Sequence, residues 1–458
     1  MAGTSPRRRI SQLATLRRAQ RLSSHCSQSM ALTRHGDRAT QLLWCPMRSE
    51  ALKHRSTRRM LFAQINQGAA GWMQTTAGSW YVLTEAGSTT ALSFFVIASM
   101  TPSLFLNPVG GRLMQSYSPV AMVKVLAPLA ALAPLLIAGL YATDTLSIPL
   151  LFVLTVIGSS FRALQAPTFA KILPLTVPES QRAAVLGYSA IAFNVSRSVG
   201  PVIAGIAGTG LAYLLSGVGF LIVAAIVIVT PLDSAQSTLT TTGPSASHNA
   251  APKGSSFRRA LRLMWNITAV RILFLCVVVF YLVSGSIHQL LAAVAKDTST
   301  TSLALGALFA CAAIGAVLTN RPVLRYLDNY GHRTRLLSIV IVAAALTVVA
   351  FGFSSGLIFD MALMVILGAL GEAMYLVVQR SILLELDEAD SGAIFGLFLA
   401  ILTGASILGS IGLGLLMDAV GVRSGLVTLG VVTLVIAVPL ILLVTRASSK
   451  PQQASTDD

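Results

Sequence analysis

FRALQAPTFAKILPLTVPESQRAAVLGYSAIAFNVSRSVGPVIAG (161–205) decides how this chain is read. One apolar helix ends in it, a short loop bearing Pro178, Glu179 and Arg182 follows, and a second apolar helix begins. Arg162 lies inside the first helix, where a charge surrounded by hydrocarbon costs several kcal/mol even on lenient scales. The second helix carries Gly187, Ser196, Gly200, Pro201 and Gly205. Small residues at such spacings let a neighbouring helix backbone come close, and Pro201 removes one helical N–H.

The pattern returns about 209 residues later. Gly187, Gly200 and Gly205 have counterparts in Gly396, Gly409 and Gly414. Upstream, Gly158 opens a run to Arg162 and Gly368 opens a run to Glu372. Two halves of one apolar chain, each with a charge at a matching place, point to a transporter built by duplication.

Composition agrees. Across 458 residues the mean hydropathy is +0.74 and 11% of residues are charged, far too apolar for a water-soluble domain. The net charge of +16 suggests a nucleic-acid partner until it is located. Residues 1–59 hold thirteen Lys/Arg against Asp37 and Glu50, so most of the charge sits in that tail and no nucleic acid is expected. The four cysteines form no metal-type cluster, and no Gly-rich phosphate loop with Lys occurs. No cofactor, metal or catalytic residue is expected.

After the basic tail, which reads as disordered, twelve apolar segments follow, each near the ~20 residues that span a bilayer. The first half (60–231) holds 61–83, 89–111, 120–142, 147–170, 184–208 and 211–230. The second (263–446) holds 268–294, 302–324, 335–355, 358–379, 392–416 and 424–445. A Ser/Thr/Gly/Pro-rich stretch, 232–262, reads as a flexible cytoplasmic linker, and 447–458 as a short polar tail. The predicted fold is an all-α membrane protein of twelve transmembrane helices in two six-helix halves. Lys and Arg crowd one set of connections, including Arg112, Lys171, Arg182, Arg258, Arg333 and Arg380, which predicts both termini in the cytoplasm.

Gln64, Gln67, Gly71, Gln74 and Gly78 share one face of the first span. Its three amides should meet protein or a water-filled cavity, either as interhelical hydrogen bonds or as substrate contacts. Arg162, with Gln165 one turn on, lines the cavity or else bonds backbone carbonyls. Asn194 and Arg197 share a face of the fifth span with Pro201 and Gly205, for transport or for packing on the eighth. Glu372 is the one carboxylate well inside a span, and it either titrates or stays in a fixed ion pair; Tyr375 lies one turn on. His288 falls toward an outer end and reads as interfacial. Glu385, Asp387, Glu388 and Asp390 read as a solvated acidic loop.

Three stretches carry a family resemblance. GWMQTTAGSWYVLTEAGS (71–88), APTFAKILPLTVP (166–178) and FNVSRSVGPVIAG (193–205) resemble the major facilitator superfamily, within it the enterobactin-exporter-like and macrolide-efflux-like branch. Arg162, Gln165 and Ala166 are similar to its fourth-helix motif. Gly187, Ser196, Gly200, Pro201 and Gly205 are similar to its antiporter motif, with Ser196 where Gly is usual. The gating-loop motif keeps Gly111 after the second helix but departs from the pattern at Gln115, Ser116, Pro119 and Val120; after the eighth helix it keeps Asp328, Gly331 and Arg333. The resemblance implies alternating-access export of a small amphipathic molecule, of drug, macrolide or siderophore type, by a monomer in the cell membrane. Protons are the implied coupling ion, Glu372 the carrier and Arg162 the cation that tunes it. An importer or facilitator, or a non-transporting receptor or membrane enzyme, is the alternative.

Overall fold

The computed structural model describes residues 50–178, 181–230, 255–299, 301–330, 333–385 and 388–448. The described residues form thirteen helices and no strand. In the first half these are α1 Arg55–Ala86, α2 Thr89–Ser116, α3 Pro119–Ala142, α4 Ile148–Leu175 and α5 Arg182–Val229. The second half holds α6 Ser255–Asn266, α7 Thr268–Gln289, α8 Leu291–Thr298, α9 Ser302–Tyr330, α10 Arg333–Gly352, α11 Leu357–Glu385, α12 Glu388–Val420 and α13 Val422–Ser448.

Ten helices among the described residues are long and apolar enough to cross a membrane. The count rises to twelve for two reasons. α5 is two spans joined at Gly208, whose φ of 73° and ψ of 175° lie outside the helical region. Glycine tolerates that conformation because it has no Cβ. A methyl at Gly200 would meet Ala69 and Trp72 of α1, while one at Gly219, beyond Gly208, would meet Ala70. Both arms of α5 therefore lie on α1 at one level, running opposite ways. The twelfth span is α1 itself, whose Gln64, Gln67 and Gln74 keep its hydropathy low. The apolar exterior includes Val125 (60% exposed), Leu132 (53%) and Leu136 (55%) on α3. In water such a surface would be unfavourable; against lipid it is solvated.

Packing repeats between the halves. In the first, α1 lies on α5, α2 on α4 and α3 on α5; in the second, α7 lies on α12, α9 on α11 and α10 on α13. The glycine counterparts follow this symmetry. Gly200 abuts α1, and Gly409 abuts Leu282 of α7. Gly205 abuts Ser302 and Gly306 of α9, and Gly414 abuts Thr89 and Ser93 of α2. The upstream pair does not follow it: Gly158 faces Ala133 of α3, whereas Gly368 faces Ala312 of α9. Equal sequence spacing thus places Arg162 and Glu372 in different surroundings.

Two segments differ from the sequence expectation. The span expected over 268–294 stops at Leu290 (φ −97°, ψ 18°), and the chain resumes as α8. Leu291 to Ala295 are all buried there, so α8 gains more from capping the bundle than from continuing a straight rod. The end of the expected linker is helical: α6 places Leu263 and Met264 against the second-half core and leaves Trp265 exposed.

Alternate spans reverse direction, so the described ends, Arg55 of α1 and Ser448 of α13, share one end of the bundle. Several hydrogen bonds between the halves cluster at the opposite, distal end. Ser302 Oγ donates to the Gly205 carbonyl (2.9 Å), Ser93 Oγ to the Ser410 carbonyl (2.7 Å) and Lys296 Nζ to the Leu83 carbonyl (2.7 Å). Asp418 accepts from Thr89 N (2.7 Å), Thr90 N (3.0 Å), Ser88 Oγ (2.7 Å) and Thr89 Oγ1 (2.7 Å), capping the start of α2 from across the interface.

Candidate functional site

Where the halves part below this seal, polar side chains collect near mid-depth. Arg197 lies eleven residues before Gly208, roughly 16 Å along the helix from the distal turn. Its Nη2 lies 3.2 Å from His288 Nε2 on α7, and its Cζ sits 5.7 Å from the Trp72 ring centroid. Guanidinium nitrogens only donate, so this hydrogen bond needs a lone pair on Nε2, which neutral His288 supplies. The His288 ring meets Phe309 edge-on at 5.0 Å. Arg197 is exposed, yet Trp72 and His288 flank its guanidinium, as they would for a group lining an internal opening. His288 is half-buried beneath α8, not interfacial; the break at Leu290 that produces this cover has no periodic signature.

Glu372 on α11 is half-buried and accepts an N–H from Asn320 Nδ2 of α9 at 3.3 Å. The cation in its electrostatic reach is Arg197, with Tyr281 and Tyr375 nearby. The expectation pairs Glu372 with Arg162; among the described residues the charge acting on Glu372 is that of Arg197. Periodicity assigns residues to helix faces but not helices to neighbours, so it could not choose between the two arginines. Tyr375 also meets Phe398, with ring centroids 5.8 Å apart. Asn320, Trp72 and Phe309 carried no signal that singled them out, being an amide and aromatics in apolar runs.

Arg162 occupies a separate layer. Its guanidinium lies against Gly71 of α1: a methyl there would fall 2.6 Å from Nη1. It has no hydrogen bond or ion pair among the described residues. Gln165 is fully buried with neither amide atom partnered, and Gln67 is 8% exposed with an unpartnered Oε1. The other amides of α1 serve helix packing. Gln64 donates to Ser189 Oγ (2.9 Å), and Gln74 to Ser216 Oγ (2.8 Å) on the second arm of α5.

The remaining expected residues are divided. Ser196 is buried and donates to the Phe193 carbonyl (2.7 Å), with Gly68 of α1 pressed on its hydroxyl. Pro201 and Gly205 pack on Gly306 of α9, while Gly187 is half-buried within α5 and Asn194 is exposed. Gly111 has open space beside it and Arg333 is half-buried. Gly331, Asp387 and the Asp328, Glu385, Glu388 and Asp390 side chains lie outside the described residues. A small cavity of about 10 Å3 above the site, room for about one water, is lined by Trp72, Thr75, His288, Gln289 and Phe309.

Twelve spans in two pseudo-symmetric halves, with charges where the halves part, define a major facilitator transporter. The chain belongs to the MFS_3 family, described as transmembrane secretion effectors, whose profile matches residues 44–457. No curated protein matches the sequence significantly. Among solved structures it is similar to the nucleoside transporter NupG (TM-score 0.64, 14% identity, 85% of this chain and 99% of that one). It is also similar to a bacterial homologue of the human lysosomal transporter Spinster in an inward-facing, unoccupied conformation (0.62, 14%, 88% and 97%). A POT family transporter in complex with 5-aminolevulinic acid compares equally well (0.64, 13%, 86% and 96%). At such identities these likenesses speak for the fold alone.

Proposed function

We propose that the protein is a proton-coupled exporter of small amphipathic molecules, working by alternating access from the cytoplasmic membrane. The secretion description of its family supports the outward direction. The Lys/Arg bias supports a cytoplasmic position for the end that carries the termini. With that orientation the distal seal is the outer gate, and the present state opens inward.

The arrangement that supports the coupling is Glu372 on α11 within electrostatic reach of Arg197 on α5, one group in each half, with Arg197 bonded across the halves to His288. Rocking the halves changes their separation, and with it the charge state that Glu372 prefers. Asn320, in the same half, holds the carboxylate throughout, while the Arg197–His288 hydrogen bond crosses between the halves and is made or broken together with the approach of Arg197 to Glu372. A proton can then load on one side and leave on the other. In this scheme Arg197, not Arg162, is the cation Glu372 works against.

Proteoliposomes with an imposed pH gradient test this. Glu372→Gln should retain substrate exchange and lose gradient-driven accumulation by at least about tenfold, since the amide keeps the shape and hydrogen bonding but cannot ionise. Unchanged gradient-driven flux in that variant would assign Glu372 a structural role.

A further inference from the structure

Arg162 is a cation in the middle of the first half with nothing described to balance it. The apolar core of that half comes in two separate clusters. One includes Met60, Ala63 and Phe169, the other Ala70, Met73 and, packed on it, Phe161. Asn66 to Gly68 on α1 and Arg162 to Thr168 on α4 lie between them, so the core is interrupted by a polar layer. The antiparallel register that sets Arg162 against Gly71 puts Gln67 level with Gln165 and Ala166. Gln67 and Gln165 contribute three unpartnered buried atoms, the Gln165 amide nitrogen and one amide oxygen from each, the oxygens being placed to accept guanidinium N–H groups that a bound anion leaves free.

A buried, unpartnered donor or acceptor costs about 1–3 kcal/mol, and a charge costs more. Such a layer persists where a ligand completes it. Arg162 and the Gln165 Nε2 supply donors only, and a guanidinium fork matches a carboxylate. The second-half acid does not serve: Glu372 accepts from Asn320 and lies in the electrostatic reach of Arg197, not of Arg162.

Resting on the reading of this protein as a transporter, we infer that its substrates are organic anions, molecules with an aromatic or aliphatic body and one carboxylate, bound at Arg162. The carboxylate takes the guanidinium fork and the Gln165 amide. The body extends past Gly71 toward Trp72, the next residue of α1. Gly71 is part of the site, because a side chain there would displace the guanidinium.

Three probes share one body: 2-naphthoate, 2-naphthamide and 2-naphthylmethylammonium. Binding to the purified full-length protein, measured by equilibrium dialysis in gluconate buffer, should favour the carboxylate over the amide by roughly tenfold or more, with the ammonium weakest. Gly71→Ala should lower carboxylate binding far more than amide binding and so remove most of that preference; Arg162→Gln should abolish it, and Arg162→Lys should restore part. A merely structural Arg162 would weaken carboxylate and amide alike. Equal binding of the three probes, tighter binding of the ammonium, no binding of any, or a preference that survives Gly71→Ala overturns the inference. So does chloride competing as strongly per mole as the carboxylate, which would make the site one for inorganic anions. Counterflow of the same probes in liposomes separates the two readings. Flux without carboxylate preference sinks the anion site and leaves the transporter; carboxylate-selective binding without flux of any probe does the reverse.

Discussion

The two seams that close the distal end are built on repeat-related helices yet by different chemistry. Where α5 meets α9, backbones nearly touch: Gly205 lies against Gly306 and the Ser302 carbonyl, and Gly306 against the Pro201 carbonyl. Where α2 meets α12, Gly414 permits a similar approach, but the carboxylate of Asp418 adds a cap over three residues of the opposite half. Short-range packing is lost almost completely after a small displacement, while a charged cap falls off more gradually. The first seam suits a close-fitting bearing, and the second a latch that can be made and released at a water-facing rim.

Substitutions in each seam can break this contrast, and the largest effect belongs to the bearing. Even the Cβ of Gly205→Leu would come 2.8 Å from the Ser302 carbonyl, so the distal end should fail to close. Transport should fall to background, and spin labels at Glu85 and Val420 should report only the separated state. A variant that still closes would show that α9 can yield. Asp418→Asn should act more weakly, because the rim is solvated and the amide keeps part of the cap. A shift of roughly three- to tenfold toward the separated state is expected in the same label distribution. A shift as large as that of Gly205→Leu would make the latch, and not the packing, the main closure. The smallest effect should come from Lys296→Met, which removes one donor from the Leu83 carbonyl, where the Gly87 N–H also donates. A change of about twofold or less in that equilibrium would agree; a larger one would give α8 a gating role.

Much of this architecture was legible in the sequence because its signals are local. The all-helical membrane architecture and the close packing at Gly200 and Gly205 and at their counterparts Gly409 and Gly414 survive into the structure. What was not legible depends on contacts between distant segments. Gly158 and Gly368 match in spacing but pack on non-equivalent helices. His288 reads as interfacial until α8 folds over it. Arg162 and Arg197 are both intramembrane arginines, and only three-dimensional packing sets one against His288 and Trp72, within electrostatic reach of Glu372, and the other against Gly71 in a separate polar layer.

The joint at Gly208 also bears on how the chain is made. From Ala183 to Pro231 the sequence carries no charged residue except Arg197, and its two apolar arms are joined without a connecting loop. The second arm therefore has no basic flank of its own on the distal side to declare an orientation to the insertion machinery. The two arms should leave that machinery together, as one helical hairpin oriented by Arg182 and the basic end of the linker at Arg258, Arg259 and Arg262. A chain truncated at Gly208 would expose a partnerless arm, with Arg197 facing lipid, and quality-control proteolysis should remove it faster than a chain ending after Val229.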